Sequence, residues 1–283
     1  MGVKLIVINS SNYVENNTYV YKLPQSMKFS KKSKVGVASL SMYNSTYNIT
    51  ASRGNNKLTF VWPLATPVTL NITFDDGYYS ADQMNWFIQS KMYENKMYVI
   101  DGSSRTVYFY ELLQNSVRYA IQLNSFYLPT SAQATTLGYT QPAGATWSYP
   151  ATAKTPQLTF NDTFGNLIGF KGQTYPETVQ STTQSIVSTK TPNISPVDSY
   201  ILTCNLINSK YSIPSNVLVS MPLNGSIGTL LVYNPPEIVY SSIAPNIYSN
   251  IVIQFYDQLF NRLEFLDKEI VLTIAIDDEA EEQ

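Results

Sequence analysis

The 283-residue chain contains no histidine and a single cysteine, Cys204. Without imidazole there is no Ser-His-Asp or Cys-His relay, no histidine metal ligand and no side chain that ordinarily changes charge near neutral pH. One cysteine makes no internal disulfide, so stability rests on packing and the chain suits a reducing compartment. Cys204 lies within an apolar alternation, which reads as a buried structural thiol rather than a nucleophile. Charge is also scarce, with 13% Asp, Glu, Lys and Arg against the roughly 25% of an ordinary soluble domain.

Other absences narrow the function further. No G-x-x-x-x-G-K-[ST] or G-x-G-x-x-G pattern is present, so no phosphate-cradling loop is expected. No apolar run approaches the ~20 residues of a membrane helix, and the stretch 5–8 is too short for the core of a signal peptide. Gly2 follows Met1, but Ile6 stands where a myristoylation motif carries Ser or Thr. With nothing directing the chain to secretion, sequons such as those at Asn44, Asn48 and Asn71 read as chance matches.

Paired carboxylates are the remaining route to hydrolysis, and Asp76, Asp162, Asp198, Glu237 and Asp257 are the candidates. A chain of this size carries as many by composition, so no catalytic, cofactor-binding or metal-binding residue is assigned and no cofactor is expected. Asp75-Asp76-Gly77 reads as turn chemistry rather than a metal loop.

What is abundant is neutral and polar. There are 22 tyrosines and 15 prolines, hydrophobic residues make up 44%, and the net charge is −2. That balance argues against a nucleic-acid coat, and an uncharged surface suits contact with proteins, whose interface cores are depleted of charge. Five acids (Asp277, Asp278, Glu279, Glu281, Glu282) end the chain, and setting them aside leaves 18 basic against 15 acidic residues. The cluster Lys28, Lys31, Lys32 and Lys34 faces phosphate or an acidic neighbour, or is a solvated loop. The acidic tail reaches such a patch on an adjacent subunit, or is a solvated terminus.

Period-two alternation between Gly, Pro, Asn and Ser clusters dominates the pattern. It predicts strands at 4–10, 19–23, 34–42, 57–62 and 68–74. One helix follows, capped by Ser80 with Gln83 three residues on, its apolar stripe formed by Met84, Phe87, Ile88 and Met92. A hairpin is expected from 97–100 and 105–110 around 101–104, then one long strand over 117–127 with Val117, Tyr119, Ile121, Leu123 and Tyr127 on a shared face.

Residues 129–155 break the pattern, as an ordered loop or a seam between parts. A strand at 158–161 and a short helix at 164–170 ended by Gly169 come next. A second excursion at 171–196 holds one strand near 185–188, and both excursions read as outward loops, with 171–190 dispensable for folding. Alternation resumes with Tyr200, Leu202, Cys204 and Leu206, then with Ile251, Ile253 and Phe255, and again with Ile270, Leu272, Ile274 and Ile276. Between these lie strands at 217–221, 228–233 and 238–242, with Asn234-Pro235-Pro236 as a break.

Ten or more strands with one long helix describe an all-β sandwich or barrel. The expected organisation is strands and the main helix in 1–128, including part of any insertion, a loop-rich excursion or insertion in 129–196, and C-terminal strands with the acidic tail in 197–283.

Asp198-Ser-Tyr-Ile-Leu-Thr-Cys-Asn-Leu-Ile-Asn-Ser-Lys-Tyr211 with Pro214-Ser-Asn-Val-Leu218 resembles a segment of small capsid proteins from icosahedral double-stranded DNA viruses. Gln254-Phe-Tyr-Asp-Gln-Leu-Phe-Asn-Arg-Leu263, leading into Ile270-Val-Leu-Thr-Ile-Ala-Ile276, resembles their final strands. The similarity extends to Asp76-Gly-Tyr-Tyr-Ser-Ala-Asp-Gln-Met84, Gln157-Leu-Thr-Phe160 and Asn166-Leu-Ile-Gly-Phe170. The nearest family is the penton, or minor capsid, protein of virophages and Polinton-like viruses.

That resemblance implies a single jelly roll with an inserted β subdomain. It implies a structural, non-enzymatic protein of the virion, made in the host cytoplasm. Five copies would close one vertex as a homopentamer docked to the major capsid protein, with exposed loops free to touch a host surface. It implies neither a membrane span nor specific nucleic-acid binding. The competing readings are a host-receptor or glycan-binding module on the same scaffold, and a carboxylate hydrolase.

Overall fold

The computed structural model describes residues 3–278. Gly2 and the tail acids Glu279, Glu281 and Glu282 lie outside them. The fold is all-β and divides into two compact units. Met1–Tyr47 and Val197–Gln283 form the first, and Asn48–Pro196 forms the second as an insertion in the chain of the first. The breaks therefore fall at 47/48 and 196/197. Residue 128, the expected end of the first part, lies inside the inserted unit, because the contacts that join residues 4–43 to 199–277 span most of the sequence and leave no local mark.

The first unit begins with β1 (Lys4–Asn9), a 3-10 turn at Ser10–Asn12, β2 (Tyr13–Glu15), β3 (Thr18–Lys28) and β4 (Lys34–Tyr43). The inserted unit carries β5 (Lys57–Trp62), β6 (Val68–Thr73), α1 (Ala81–Glu94), β7 (Val99–Ile100), β8 (Thr106–Val107), β9 (Tyr110–Asn115) and β10 (Ala120–Ser125). It continues with α2 (Ser131–Thr136), β11 (Gln157–Phe160), α3 (Asp162–Ile168), β12 (Thr174–Tyr175) and β13 (Gln184–Val187). The first unit then resumes with β14 (Ser199–Cys204), β15 (Val217–Pro222), β16 (Leu230–Tyr233), β17 (Ser241–Ser242), β18 (Ile247–Tyr256) and β19 (Ile270–Asp277).

Two five-stranded antiparallel sheets make the first unit. One runs β1-β19-β4-β16 with β17 also on β4, and the other runs β15-β14-β18-β3-β2. Their inward faces share one core. Ile8, Val35, Val37, Leu40, Met42, Leu272, Ile274 and Ile276 come from the first sheet, and Tyr19, Tyr200, Leu202, Cys204, Ile253 and Phe255 from the second. This is the two-layer arrangement of a jelly-roll sandwich.

The parity of β4 changes partway along. Val35 and Val37 are buried at odd positions, Leu40 and Met42 at even ones. A bulge opposite Thr273/Ile274 supplies the extra residue, so Ile274 pairs with Val37 while Thr273 pairs with Ser39. One inserted residue turns the following side chains to the other face, which keeps both halves of the strand in the core. A larger irregularity between Tyr248 and Asn250 lets β3 hold Pro24, whose missing N–H a regular ladder would not tolerate.

The inserted unit has sheets β12-β11-β5-β6 and β13-β10-β9, with β7 and β8 forming a small hairpin. Its core is aromatic, with Phe60, Trp62, Phe74, Tyr110, Phe160 and Phe164 all buried. Helix α1 forms as its sequence dictates. The Ser80 hydroxyl accepts from the Gln83 N–H at 3.2 Å, and Gln83 accepts from the Ser80 N–H at 2.9 Å. Met84, Ile88 and Met92 are buried, and Phe87 stacks on Phe74 at 4.5 Å. Gly169 ends α3 with φ of 79°, a left-handed conformation that favours glycine.

Three expectations need correction. The strand drawn over 117–127 is a hairpin, in which β9 and β10 flank a turn that places Tyr119 at φ of 49° and leaves Val117 94% exposed. The apolar character of those two positions imitated a continuing alternation. The strand over 238–242 shrinks to Ser241–Ser242, because the preceding residues cross over Gly36 instead of pairing. The excursion 171–190 is no free loop: β12 extends one sheet, β13 extends another, and Tyr175 is buried against Phe160 and Phe170.

Residues 129–155 are likewise ordered. They contain α2, and Trp147 packs edge-on against Trp62 at 5.5 Å while its indole N–H donates to the Lys96 carbonyl at 2.6 Å. Thr130 caps α2 with Gln133 at the third position, a reciprocal box readable in the sequence as Thr-x-x-Gln.

Candidate interaction surfaces

The carboxylates considered from the sequence are divided between the two units. Asp76 accepts from the Ala51 N–H at 2.7 Å and Asp162 sits in the first turn of α3, both in the inserted unit. Asp198, Glu237 and Asp257 belong to the first unit. Asp257 is buried, and its two oxygens accept from the Leu259 N–H, the Asn261 N–H and the Asn261 amide at 2.8–3.0 Å. Those bonds close the turn between β18 and the segment before β19, and leave little lone-pair capacity for chemistry. Among the described residues no group of three His, Cys, Asp or Glu side chains is positioned to hold a metal ion.

Cys204 is fully buried, and burial pushes its thiol up to about 12. A thiol held protonated is a packing group, not a nucleophile. The sequon residues Asn44 and Asn48 are also internal. The Asn48 amide donates to the Tyr79 and Ile194 carbonyls at 2.8 and 2.9 Å, and Asn44 accepts from the Tyr200 hydroxyl at 3.1 Å. No helix among the described residues is long and apolar enough to cross a membrane.

The lysine cluster and the start of the acidic tail meet within one chain. Asp277 is the register partner of Lys34, Asp278 accepts from the Ser33 hydroxyl at 2.7 Å, and Lys4 lies 3.8 Å from Asp278. The tail acids beyond Asp278 fall outside the described residues.

The outer boundary of the first unit is unevenly protected. Exposed sheet edges are normally blunted by shortness, proline, bulges or charge, since their unpaired N–H and C=O groups accept any passing strand. Here β2 has three residues and an irregular register, and β15 carries a register shift between Val217 and Val219 and ends at Pro222. β16 has four residues and runs into Pro235-Pro236, and β17 has two.

β1 differs from all of these. It has six residues in unbroken register with β19, no proline and no bulge. Among the described residues no backbone group pairs with its free side.

Between Lys4 and Asn9 its side chains are apolar on both faces. Ile6 and Ile8 point to the core, while Leu5 is 64% and Val7 50% exposed. The register carries that outward face across the sheet. Val7 pairs with Thr273, and Val271 and Val232 flank Ser41, so these outward positions hold no charged side chain. Sequence reading found β1 as a strand but missed its role as an open edge, although Val3, Leu5 and Val7 on one parity and Ile6 and Ile8 on the other already show a strand apolar on both sides.

The inserted unit presents a cleft of about 330 Å³. It lies between the β8–β9 region and the segment after β10, lined by the rings of Tyr108, Phe109, Phe126, Tyr127 and Tyr139. A ladder of rings leads away from it: Tyr108 lies 6.2 Å from Tyr98, which stacks on Tyr93 at 4.9 Å with the planes 9° apart.

No family model matches the sequence, and no curated protein matches it. Among solved structures the chain is similar to the mavirus penton protein, at 10% identity and a TM-score of 0.44, covering 98% of each chain. It is also similar to a chain in the 3.5 Å cryo-electron-microscopy structure of the Sputnik virophage, at 12% identity and a TM-score of 0.38, covering 97% of each chain.

Proposed function

We propose that the chain is a structural protein of an icosahedral virus shell. It forms the fivefold vertex by assembling with copies of itself and docking against the major capsid protein. It performs no catalysis. The observation that carries this reading is the open β1 edge, continuous with the uncharged face of Leu5, Val7, Val271 and Val232.

Such an edge is a liability in a protein that stays alone and an asset in one that assembles. Each subunit that offers different patches to its two neighbours makes a heterologous contact, which closes into a ring when the rotation per copy fits. The segment resemblance at 198–218 and 254–276 points the same way, and these residues build the sandwich itself, in β14, β15, β18 and β19.

The test is electron microscopy of the purified protein at increasing concentration. Fivefold rings, or fivefold caps in the presence of the major capsid protein, are the expected result. A protein that remains monomeric at millimolar concentration and leaves vertices unfilled when mixed with that partner would overturn the reading.

A further inference from the structure

One end of the first unit gathers lysines from separate parts of the chain. Lys28 pairs in register with Ile247, Lys31 and Lys32 lie in the turn between β3 and β4, and Lys34 pairs with Asp277 and Ser242. Lys4 opens β1 at the same end, in register with Ile276. The loop between β14 and β15 arrives there too: Ile207 bridges Ile243, whose N–H donates to the Ser33 carbonyl at 2.9 Å. That loop adds Lys210, and all six lysines are exposed.

Their charge is largely unmatched. Among the described residues the carboxylates at this end are Asp277 and Asp278, and Asp278 is engaged by the Ser33 hydroxyl at 2.7 Å and by Lys4 at 3.8 Å. No described carboxylate lies within ion-pair distance of Lys28, Lys31, Lys32, Lys34 or Lys210. A cluster of this kind draws a polyanion, whose phosphates come from nucleic acid or from lipid.

The β14–β15 loop decides between them. It is a closed turn, in which the Ser209 N–H donates to the Ser215 carbonyl at 2.6 Å and the Tyr211 N–H to the Ser209 hydroxyl at 3.1 Å. Even so it leaves Tyr211 fully exposed and Ile213 94% exposed, directly beyond Lys210. Ile247, opposite Lys28, is exposed as well. A nucleic-acid backbone meets lysines but gives an aliphatic side chain nothing to enter. An anionic bilayer supplies both needs, with charged headgroups for the lysines and the acyl boundary for an isoleucine and a tyrosine ring.

We propose that this end of the first unit docks on an anionic lipid surface, with Lys28, Lys31, Lys32, Lys34 and Lys210 among the headgroups and Tyr211 and Ile213 seated at the acyl boundary. The contact is peripheral and reversible, held by charge attraction and a small apolar area together. Each lysine near such a surface contributes roughly fivefold in affinity, an effect that salt screens within about 10 Å. Glu279, Glu281 and Glu282, next in sequence, carry the opposite sign and work against it.

The experiment measures co-sedimentation of the full chain with vesicles of phosphatidylcholine and with vesicles of phosphatidylcholine and phosphatidylserine, alongside a gel shift with duplex DNA. The mixed vesicles bind, the neutral vesicles do not, and added salt releases the protein. Lys31→Gln with Lys32→Gln weakens that binding by roughly tenfold or more. Ile213→Ser weakens it by about fivefold, while Val117→Ser, equally exposed in the inserted unit, changes nothing. These positions are exposed, so the variants keep the parental circular dichroism spectrum. Tighter binding to DNA than to the mixed vesicles, equal binding to neutral vesicles, or vesicle binding untouched by Lys31→Gln with Lys32→Gln or by Ile213→Ser would overturn the assignment, whether or not the protein forms rings.

Discussion

Gly36 lies directly beneath Ile238. A Cβ added to it would stand 2.5 Å from Ile238 Cγ2 and 2.7 Å from the Val239 carbonyl oxygen. The segment after Pro235-Pro236 thus crosses the outer face of β4, which is why only Ser241–Ser242 of that region pairs as strand. Gly36→Ala must push backbone, not only a flexible side chain, and overpacking of this kind costs about 1–3 kcal/mol. Chemical denaturation is expected to show that loss for Gly36→Ala and almost none for Gly102→Ala, where open space surrounds the position and the backbone is not left-handed. Equal stability of the Gly36→Ala variant and the parent would mean that the crossing segment is not packed there.

Alkaline pH is expected to unfold the protein early. Cys204 goes from 9.0 to about 12 on burial, and Tyr19, Tyr110 and Tyr200 are all raised by the same cause. Each group is neutral when protonated and gives up its proton more readily in the unfolded chain. Above pH 9 for Cys204, and above pH 10 for the tyrosines, the unfolded state therefore binds fewer protons, and stability falls as pH rises, by about 1.4 kcal/mol per pH unit for each group so titrating. The denaturation midpoint should hold below pH 9 and decline steadily above it. In Cys204→Ala the decline should begin nearer pH 10, and in the parent iodoacetamide should label the thiol only under denaturing conditions.

Removal of 171–190 should abolish cooperative unfolding of the inserted unit. The deletion takes β12 from β11, β13 from β10 and Tyr175 from a cluster with Phe160 and Phe170. It strips two sheets of an edge strand each and uncovers aromatic core, a combination expected to give aggregated protein. A soluble deletion variant with a parental near-ultraviolet circular dichroism spectrum would show that these strands are dispensable.

The elements that were legible in the sequence are those with local causes. The Ser80/Gln83 box, the Met84-Ile88-Met92 stripe and the αL Gly169 each act within one or two turns of chain. Strand pairing was not legible, because β1 meets β19 across some 270 positions and the register is set by bulges such as the one in β4 opposite Thr273/Ile274. Val117 and Tyr119 misled for a related reason, since alternation records apolar character and not whether Tyr119 can take a positive φ in a turn. The open edge of β1 was half visible: the residues were plain, but their exposure depends on which strand lies outermost. The cleft was not visible, because its tyrosines are separated along the chain and gathered only by the fold.

The proposed vertex requires copies of this chain to join through the β1 edge, and multi-angle light scattering of paired variants reads that joining. Leu5→Lys with Val7→Lys places two like charges on the outward side of the edge strand and leaves Ile6 and Ile8 in the core. The account predicts that the double variant keeps the parental circular dichroism spectrum and stays monomeric at concentrations where the parent forms rings. Rings of parental size from a folded Leu5→Lys, Val7→Lys protein would contradict it.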